Sequence, residues 1–340
     1  MSITPASIQA DIAKGKFKPH SMLTNMATAY FQDASKSFAR SIFPTCPVSM
    51  SSDNYYVFDK EDLLRDNWRR KPAYGKVDPA VVSEHTEQYA VKVDQMIMGI
   101  DSIRQTDLIR RQGPSISDPR VQRTREIAHS SNIHQDKMFA DSYFKATSWT
   151  NVKTGTTGTP TGNQFIKFSD NNSDPVAYID TLATEMEETT GFRPNRMAIG
   201  ANVYKALKVH PGILERVKYG GSTMNPATVT ENVLSQLFDM ERMVVLRSIM
   251  NKAEMGQTGD IGFIGDPNGI LLCYATSAPS VDTPSAGYIF TWDMLGDGNY
   301  MPILNYEGEN GTHSEYVEGL MATDMKKVAD DLGVFLAQAV

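Results

Sequence analysis

The chain has 340 residues, of which 41% are hydrophobic and 21% charged, enough for one large domain or two small ones with real cores. No run approaches the roughly 18 consecutive apolar residues of a membrane span, and the start Met1-Ser2-Ile3-Thr4-Pro5 lacks the basic-then-apolar pattern of a secretion signal, so a cytoplasmic protein is expected. The net charge of -7 excludes the basic excess of an ordinary nucleic-acid binder, yet suits a container whose wall must not grip phosphates.

Residues 1–48 are polar with small helical patches such as Ser21 to Ala39, and end at Phe43-Pro44-Thr45-Cys46-Pro47, where the prolines favour extended predecessors. Sparse apolar content predicts an arm that packs on something else. Residues 49–100 read as a long hairpin whose strands are Tyr55-Tyr56-Val57-Phe58 and Tyr89 to Met96. The insertion between them is strongly charged, with Arg65, Arg69, Arg70, Lys71 and Lys76 among its cations. A long insertion inside a compact domain is functional or disordered, and Trp68 and Tyr74 among the charges favour docking.

Residues 101–172 carry the best helix pattern, 117–145, with Asp118 as cap and Pro119 in the first turn. Val121, Thr124, Ala128, Ser131, Gln135, Met138 and Ser142 follow spacings of three and four, which predicts one face of small residues against a sheet. Arg104, Arg110, Arg111, Arg120, Arg123 and Arg125 are interleaved with Asp101, Asp107, Asp118 and Glu126. With acids this close, salt bridges across a subunit contact are favoured over a phosphate site. The run Thr154 to Gly162 predicts a turn-rich connection.

Residues 173–300 have the composition of a compact α/β unit. Ser173 or Asp174 caps a helix with Pro175 in its first turn, Val176, Ile179, Leu182 and Met186 share its face, and Gly191 ends it. Pro194-Asn195 turns into a buried strand from Met197 to Gly200. Asn202 is then expected to cap a short helix that Pro211 stops, and Pro211 starts another through Val217. Asp260 to Ile264 and Ile270 to Tyr274 flank Gly265-Asp266-Pro267-Asn268-Gly269, which predicts a hairpin. Residues 301–340 return to strand patterning, with His313 to Met321 alternating and Val334 to Val340 expected as a central strand beside the long helix.

No arrangement of residues predicts catalysis or a cofactor. The phosphate-cradling loop, the dinucleotide fingerprint and the nucleophile elbow are all missing from the sequence. His129 and His134 lie five apart on one helix and point roughly 140° away from each other, which does not make a metal pair. Asp170-Asn171-Asn172-Ser173-Asp174 has Pro175 where a calcium loop needs Gly, and reads as a helix cap. Glu185, Glu187 and Glu188 read as a solvated face. Cys46 and Cys273, far apart in sequence, are expected to be buried inert thiols.

The segment from Phe192 to Tyr219, a Pro-Asn turn, a strand and helices joined at His210-Pro211-Gly212-Ile213, resembles the axial-domain core of tailed-bacteriophage major capsid proteins, whose fold is shared with herpesvirus capsid floor domains and encapsulins. The order of parts along the chain extends the resemblance. It implies an α+β fold with an N-terminal arm (1–48), an extended β-hairpin loop (49–100), a peripheral domain (101–172) with spine helix 117–145, an axial domain (173–300) and return strands of the peripheral domain (301–340).

It further implies self-assembly as hexamers and pentamers into an icosahedral shell around double-stranded DNA, with scaffolding, portal and decoration proteins as partners. Residence in the virion, without membrane, catalytic residues or cofactor, follows. Arg65, Trp68, Arg69, Arg70, Lys71, Tyr74, Lys76, Arg120 and Arg123 are then the candidate subunit contacts. Two other readings stay open: an encapsulin-like nanocompartment shell and a soluble α/β enzyme without a recognisable motif.

Overall fold

The computed structural model describes residues 37–57, 66, 68–71, 73–77, 85–103, 106, 119–220, 229–254, 256–280, 283–294 and 300–340. Two sheets and one long helix organise them. The first sheet is built on β14 (Ser314–Lys327). Its whole leading part pairs antiparallel with β4 (Lys92–Asp101) on one edge. On the other edge lie β13 (Ile303–Glu307) and then β12 (Gly287–Trp292), both antiparallel to β14. Beyond β12, β1 (Thr45–Val48) runs parallel to it.

The second sheet has six strands in the order β6 (Gln164–Ile166), β5 (Val152–Thr156), β15 (Gly333–Ala337), β11 (Ile270–Cys273), β7 (Arg196–Gly200) and β8 (Arg242–Leu246). Its central strands are near-continuous apolar runs because both faces are covered. Period-two alternation sorts them between two cores. Met197, Ile199, Ile270, Leu272, Val334 and Leu336 face a core completed by Ile179, Leu182 and Met186 from α3 (Pro175–Thr190) and by Val203 and Leu207 from α4 (Ala201–Val209). The residues between them, Ala198, Leu271, Cys273 and Phe335, face a second core holding Phe43, Phe139 and Phe144.

The long helix α2 (Pro119–Ser142) has 24 residues, or ~36 Å at 1.5 Å each. Its buried face is Thr124, Ile127, Ala128, Ser131, Asn132, Gln135, Asp136, Phe139 and Ala140, a strict helical stripe that is more polar than apolar. The expected face had the right phase but was centred too far to one side, since Ser142 is exposed and Phe139 and Asp136 are fully buried. Position 118, the expected cap, lies outside the described residues. The short α1 (Phe38–Ile42) is entirely buried, and Phe38 and Phe43 meet the Phe139 ring edge-on at 5.9 and 5.0 Å. Each such pair adds ~0.5–1.5 kcal/mol beyond its buried area. The end of the expected arm is therefore core of this chain itself.

Several expectations are corrected. Val334–Val340 was placed beside the long helix, but β15 lies in the second sheet between β5 and β11, and α2 packs on β14 instead. An all-apolar strand needs cover on both faces, which β15 has in the second sheet, with Val334 and Leu336 in one core and Phe335 in the other. The Gly265–Gly269 turn forms, with Asp266 accepting from the Asn268 N–H, yet its flanks do not pair. β10 (Ile261–Phe263) pairs with β9 (Ile249–Asn251), while β11 pairs with β7 and β15. Turn chemistry is local; strand partners are not. The run Tyr89 to Met96 is broken at Val91 into β3 (His85–Ala90) and β4, which serve different sheets.

Thr154 begins no turn but continues β5. The helix after β7 is capped by Gly200, not Asn202, whose amide instead donates to Asn268 Oδ1 at 3.0 Å. Gly200 is required there, because a Cβ would sit 2.2 Å from the Pro267 carbonyl oxygen. α3 is as expected: Asp174 accepts from the Ala177 N–H at 3.2 Å, and Gly191 closes the helix in the left-handed region at φ 76°. β5 and β6 join the second sheet and β12 the first.

Candidate subunit-contact surface

The expected hairpin has a firm base. β2 (Ser52–Val57) pairs antiparallel with β3, joining the two runs that the sequence set apart. Its inward aromatic residues tie it to the first sheet: Tyr89 stacks on Phe290 at 4.6 Å and Tyr55 lies 5.4 Å from the same ring. The Tyr55 hydroxyl donates to Glu87 Oε2 at 2.6 Å, and burial, followed by that carboxylate, raises its pKa. The Ala90 N–H donates to Asp324 Oδ2 at 3.0 Å, a further tie to β14.

Beyond that base, the described part of the insertion faces solvent. Trp68 is 94% exposed and Tyr74 108%. Asp66 Oδ1 accepts from the Trp68 N–H at 3.0 Å, a local turn, and Tyr74 takes the left-handed φ of 63°. Arg69, Arg70, Lys71 and Lys76 are exposed, and Arg65 lies outside the described residues. Exposed aromatic side chains near cations in sequence are the kind of surface that protein contacts use.

Arg120 and Arg123 sit elsewhere, on the first turns of α2. Arg120 forks onto Glu315 of β14, with Nε–Oε1 at 2.7 Å and Nη2–Oε2 at 3.0 Å, and Arg123 meets Glu126 one helical turn on at 2.7 Å. Both thus hold partners within the chain, where the sequence reading expected pairing across a subunit contact. Positions 104, 110 and 111 lie outside the described residues. The partners seen for Arg120 and Arg123 lie on β14 and α2.

Sequence reading missed a buried polar clasp joining α1 to α2. Ser37 Oγ donates to Asp136 Oδ1 at 2.6 Å, Ser248 Oγ donates to Asp136 Oδ2 at 2.8 Å, and the Ala39 N–H donates to Oδ1 at 3.2 Å. Burial drives the Asp136 pKa upward, against those hydrogen bonds and the nearby Arg40 charge. Arg40 donates to Gln135 Oε1 at 2.7 Å and to Asn132 Oδ1. Arg196 Nη1 adds donors to the Ser41 and Ile42 carbonyls at 3.0 and 3.2 Å, capping α1 from the second sheet. The available signal was Asn132, Gln135 and Asp136 on the inward face of an otherwise regular helix.

The remaining candidates are structural. Among the described residues no group of three His, Cys, Asp or Glu is placed to hold a metal. His134 Nε2 lies 3.4 Å from Asp94 Oδ2 at the surface. Asp174 pairs with Arg216 at 2.7 Å besides capping α3. His210, buried where α4 meets α5 (Pro211–Gly220), accepts the Gly212 N–H on Nδ1 at 3.2 Å and turns Nε2 to the Asp170 carbonyl and Ser173 Oγ, each at 3.2 Å. Its role is to fix that helical elbow.

This two-sheet arrangement, with a long helix under one sheet, helices over the other and a projecting hairpin, is the fold of phage-capsid and related shell subunits. A phage-related protein from Bordetella bronchiseptica superposes with a TM-score of 0.70 at 20% identity, covering 94% of this chain and 97% of that one. The cyanophage P-SCSP1u capsid gives 0.52 at 10% identity over 86% of each chain, and a virus-like particle from Pyrococcus furiosus gives 0.51 at 10% identity over 93% and 98%. In sequence, 83 residues are 37% identical to the major capsid protein of Burkholderia phage BcepMu, a match spanning 24% of this chain and 26% of that protein. No family model matches the chain. The capsid and shell relatives are structural proteins, not enzymes.

Proposed function

We propose that the chain is the major capsid protein of a tailed bacteriophage, assembling as hexamers and pentamers into an icosahedral shell around double-stranded DNA. The observation that carries this reading is the joint one of fold and sequence. The fold of a virus-like-particle chain extends over 93% of this one, and 83 residues are 37% identical to a curated major capsid protein. In this reading the six-stranded sheet and its helices form the axial domain, while α2 and the five-stranded sheet form the peripheral domain.

The hairpin supplies the subunit contact. Its aromatic base holds it rigidly on the first sheet, and Trp68, Tyr74 and the surrounding cations reach a neighbouring copy. Each exposed charge pair contributes only ~0–1 kcal/mol, but a closed shell repeats every contact many times. Scaffolding, portal and decoration proteins would meet such a shell at its inner wall, at one vertex and on its outside, and the subunit would reside in the virion after assembly in the host cytoplasm.

Mass photometry of the purified chain, with ultraviolet absorbance of any large species, tests the proposal. Capsomers and shells are expected, and nucleic acid in particles taken from infected cells. Particles with protein contents alone would instead favour a nanocompartment, and a stable monomer under every assembly condition would overturn the shell reading.

A further inference from the structure

The β9–β10 ribbon inverts the usual burial of a strand pair. Three of its four exposed positions are apolar, Ile249 at 54%, Ile261 at 71% and Phe263 at 38%, and the fourth is Asn251, opposite Ile261. Ile249 stands directly opposite Phe263, and Ile261 follows two residues from Phe263 on the same face. Side chains so placed pack into one patch. Among the described residues the two strands pair only with each other. A two-stranded ribbon is marginal by itself, so an apolar face left in water calls for a cover.

Ser248, the residue before β9, fixes where that cover comes from. Its hydroxyl and that of Ser37 donate to the two oxygens of the same Asp136 carboxylate, at 2.8 and 2.6 Å. The chain preceding Ser37 therefore departs from the root of the ribbon. Thirty-six residues of the sequence precede Ser37, and their last large apolar side chains are Met26, Tyr30 and Phe31. From Ser37 back to Phe31 a chain reaches at most ~20 Å, at 3.3–3.6 Å per residue, enough to return onto Ile249 and Phe263. A tether this short also gives a segment an effective concentration in the millimolar range at the patch.

We propose that the apolar face of Ile249, Ile261 and Phe263 is the docking site for the segment around Tyr30 and Phe31 of the same chain. The Asp136 clasp then serves as the anchor that aims the N-terminal segment at the ribbon. The inference concerns one subunit and does not depend on shell assembly.

The test is a cysteine pair beside the contact, Gln32→Cys with Lys252→Cys, in the full chain, where Cys46 and Cys273 are buried. Isotopically heavy and light chains are mixed before assembly and treated with a short bismaleimide, and the joined peptides are read by mass spectrometry. Heavy–heavy and light–light pairs without mixed pairs are expected. Mixed pairs would assign the face to a second copy, and no joined peptide would remove the segment from it; either overturns the proposal. As a second measurement, Phe31→Ser should speed hydrogen exchange of the 249–251 and 261–263 amides at least tenfold, and unchanged exchange counts against docking.

Discussion

Arg40 Nε donates to Gln135 Oε1 at 2.7 Å inside the protein, joining residues 95 apart in sequence, and Arg40 is only 4% exposed. A guanidinium this deep needs acceptors, and α2 supplies two, Gln135 on Nε and Asn132 on Nη2, with the charge of Asp136 nearby. Arg40→Ala removes the donors and leaves those polar groups buried. A loss of ~3 kcal/mol is expected, read as a lower denaturant midpoint at unchanged slope. A midpoint equal to that of the unmodified chain would contradict this role for the clasp.

Trp68 and Arg70 touch solvent, so their removal should leave the subunit intact. Trp68→Ala with Arg70→Glu is expected to alter folding stability by less than ~0.5 kcal/mol, as exposed sites do. Assembly, followed by light scattering, should need at least tenfold more protein. If assembly is unchanged, the hairpin tip is not a subunit contact.

The pH dependence at the β14–β15 connection follows from Asp330. Burial pushes its carboxyl upward, but Lys327 Nζ on Oδ1 and the Thr150 N–H on Oδ2 outweigh that and hold it below the ordinary 3.8. A depressed carboxyl contributes stability that is present above pH 3.8 and lost as pH falls through its lower folded value. Asp330→Asn should therefore lower the melting temperature at pH 7, and the gap should close as pH falls below 3.8. A gap that is constant from pH 7 to pH 3 would rule this coupling out.

Cys273 lies on the second sheet, and burial pushes its thiol up to about 12. A maleimide or disulfide reagent at pH 8 should label neither cysteine in the folded chain and both in denaturant, since the thiolate is the reactive form. Labelling of Cys273 under native conditions would show that the second core opens.

What the sequence made legible was local. The caps of α3 at Asp174 and Gly191, the strand at Met197 and the elbow at His210-Pro211 all follow from short-range backbone chemistry. What it hid was pairing at a distance. β10 and β11 share a good turn but belong to different sheets, because burial of Ile270 and Leu272 beside Met197 and Val334 outweighs the local hairpin. The candidate contact residues divide in the same way. Trp68 and Tyr74 stand out as aromatic residues among charges, whereas the bond of Arg120 to Glu315, 195 residues away, leaves no trace in spacing. The polar stripe of α2 was misread for the same reason: Asp136 looks like a solvent residue until Ser37 and Ser248 are brought to it.

Electron microscopy of the chain expressed alone tests the central claim most directly. Closed icosahedral particles, or rings of five and six subunits, are predicted, with density from each hairpin tip lying on the adjacent subunit. A uniform field of single subunits at every protein and salt concentration would contradict it.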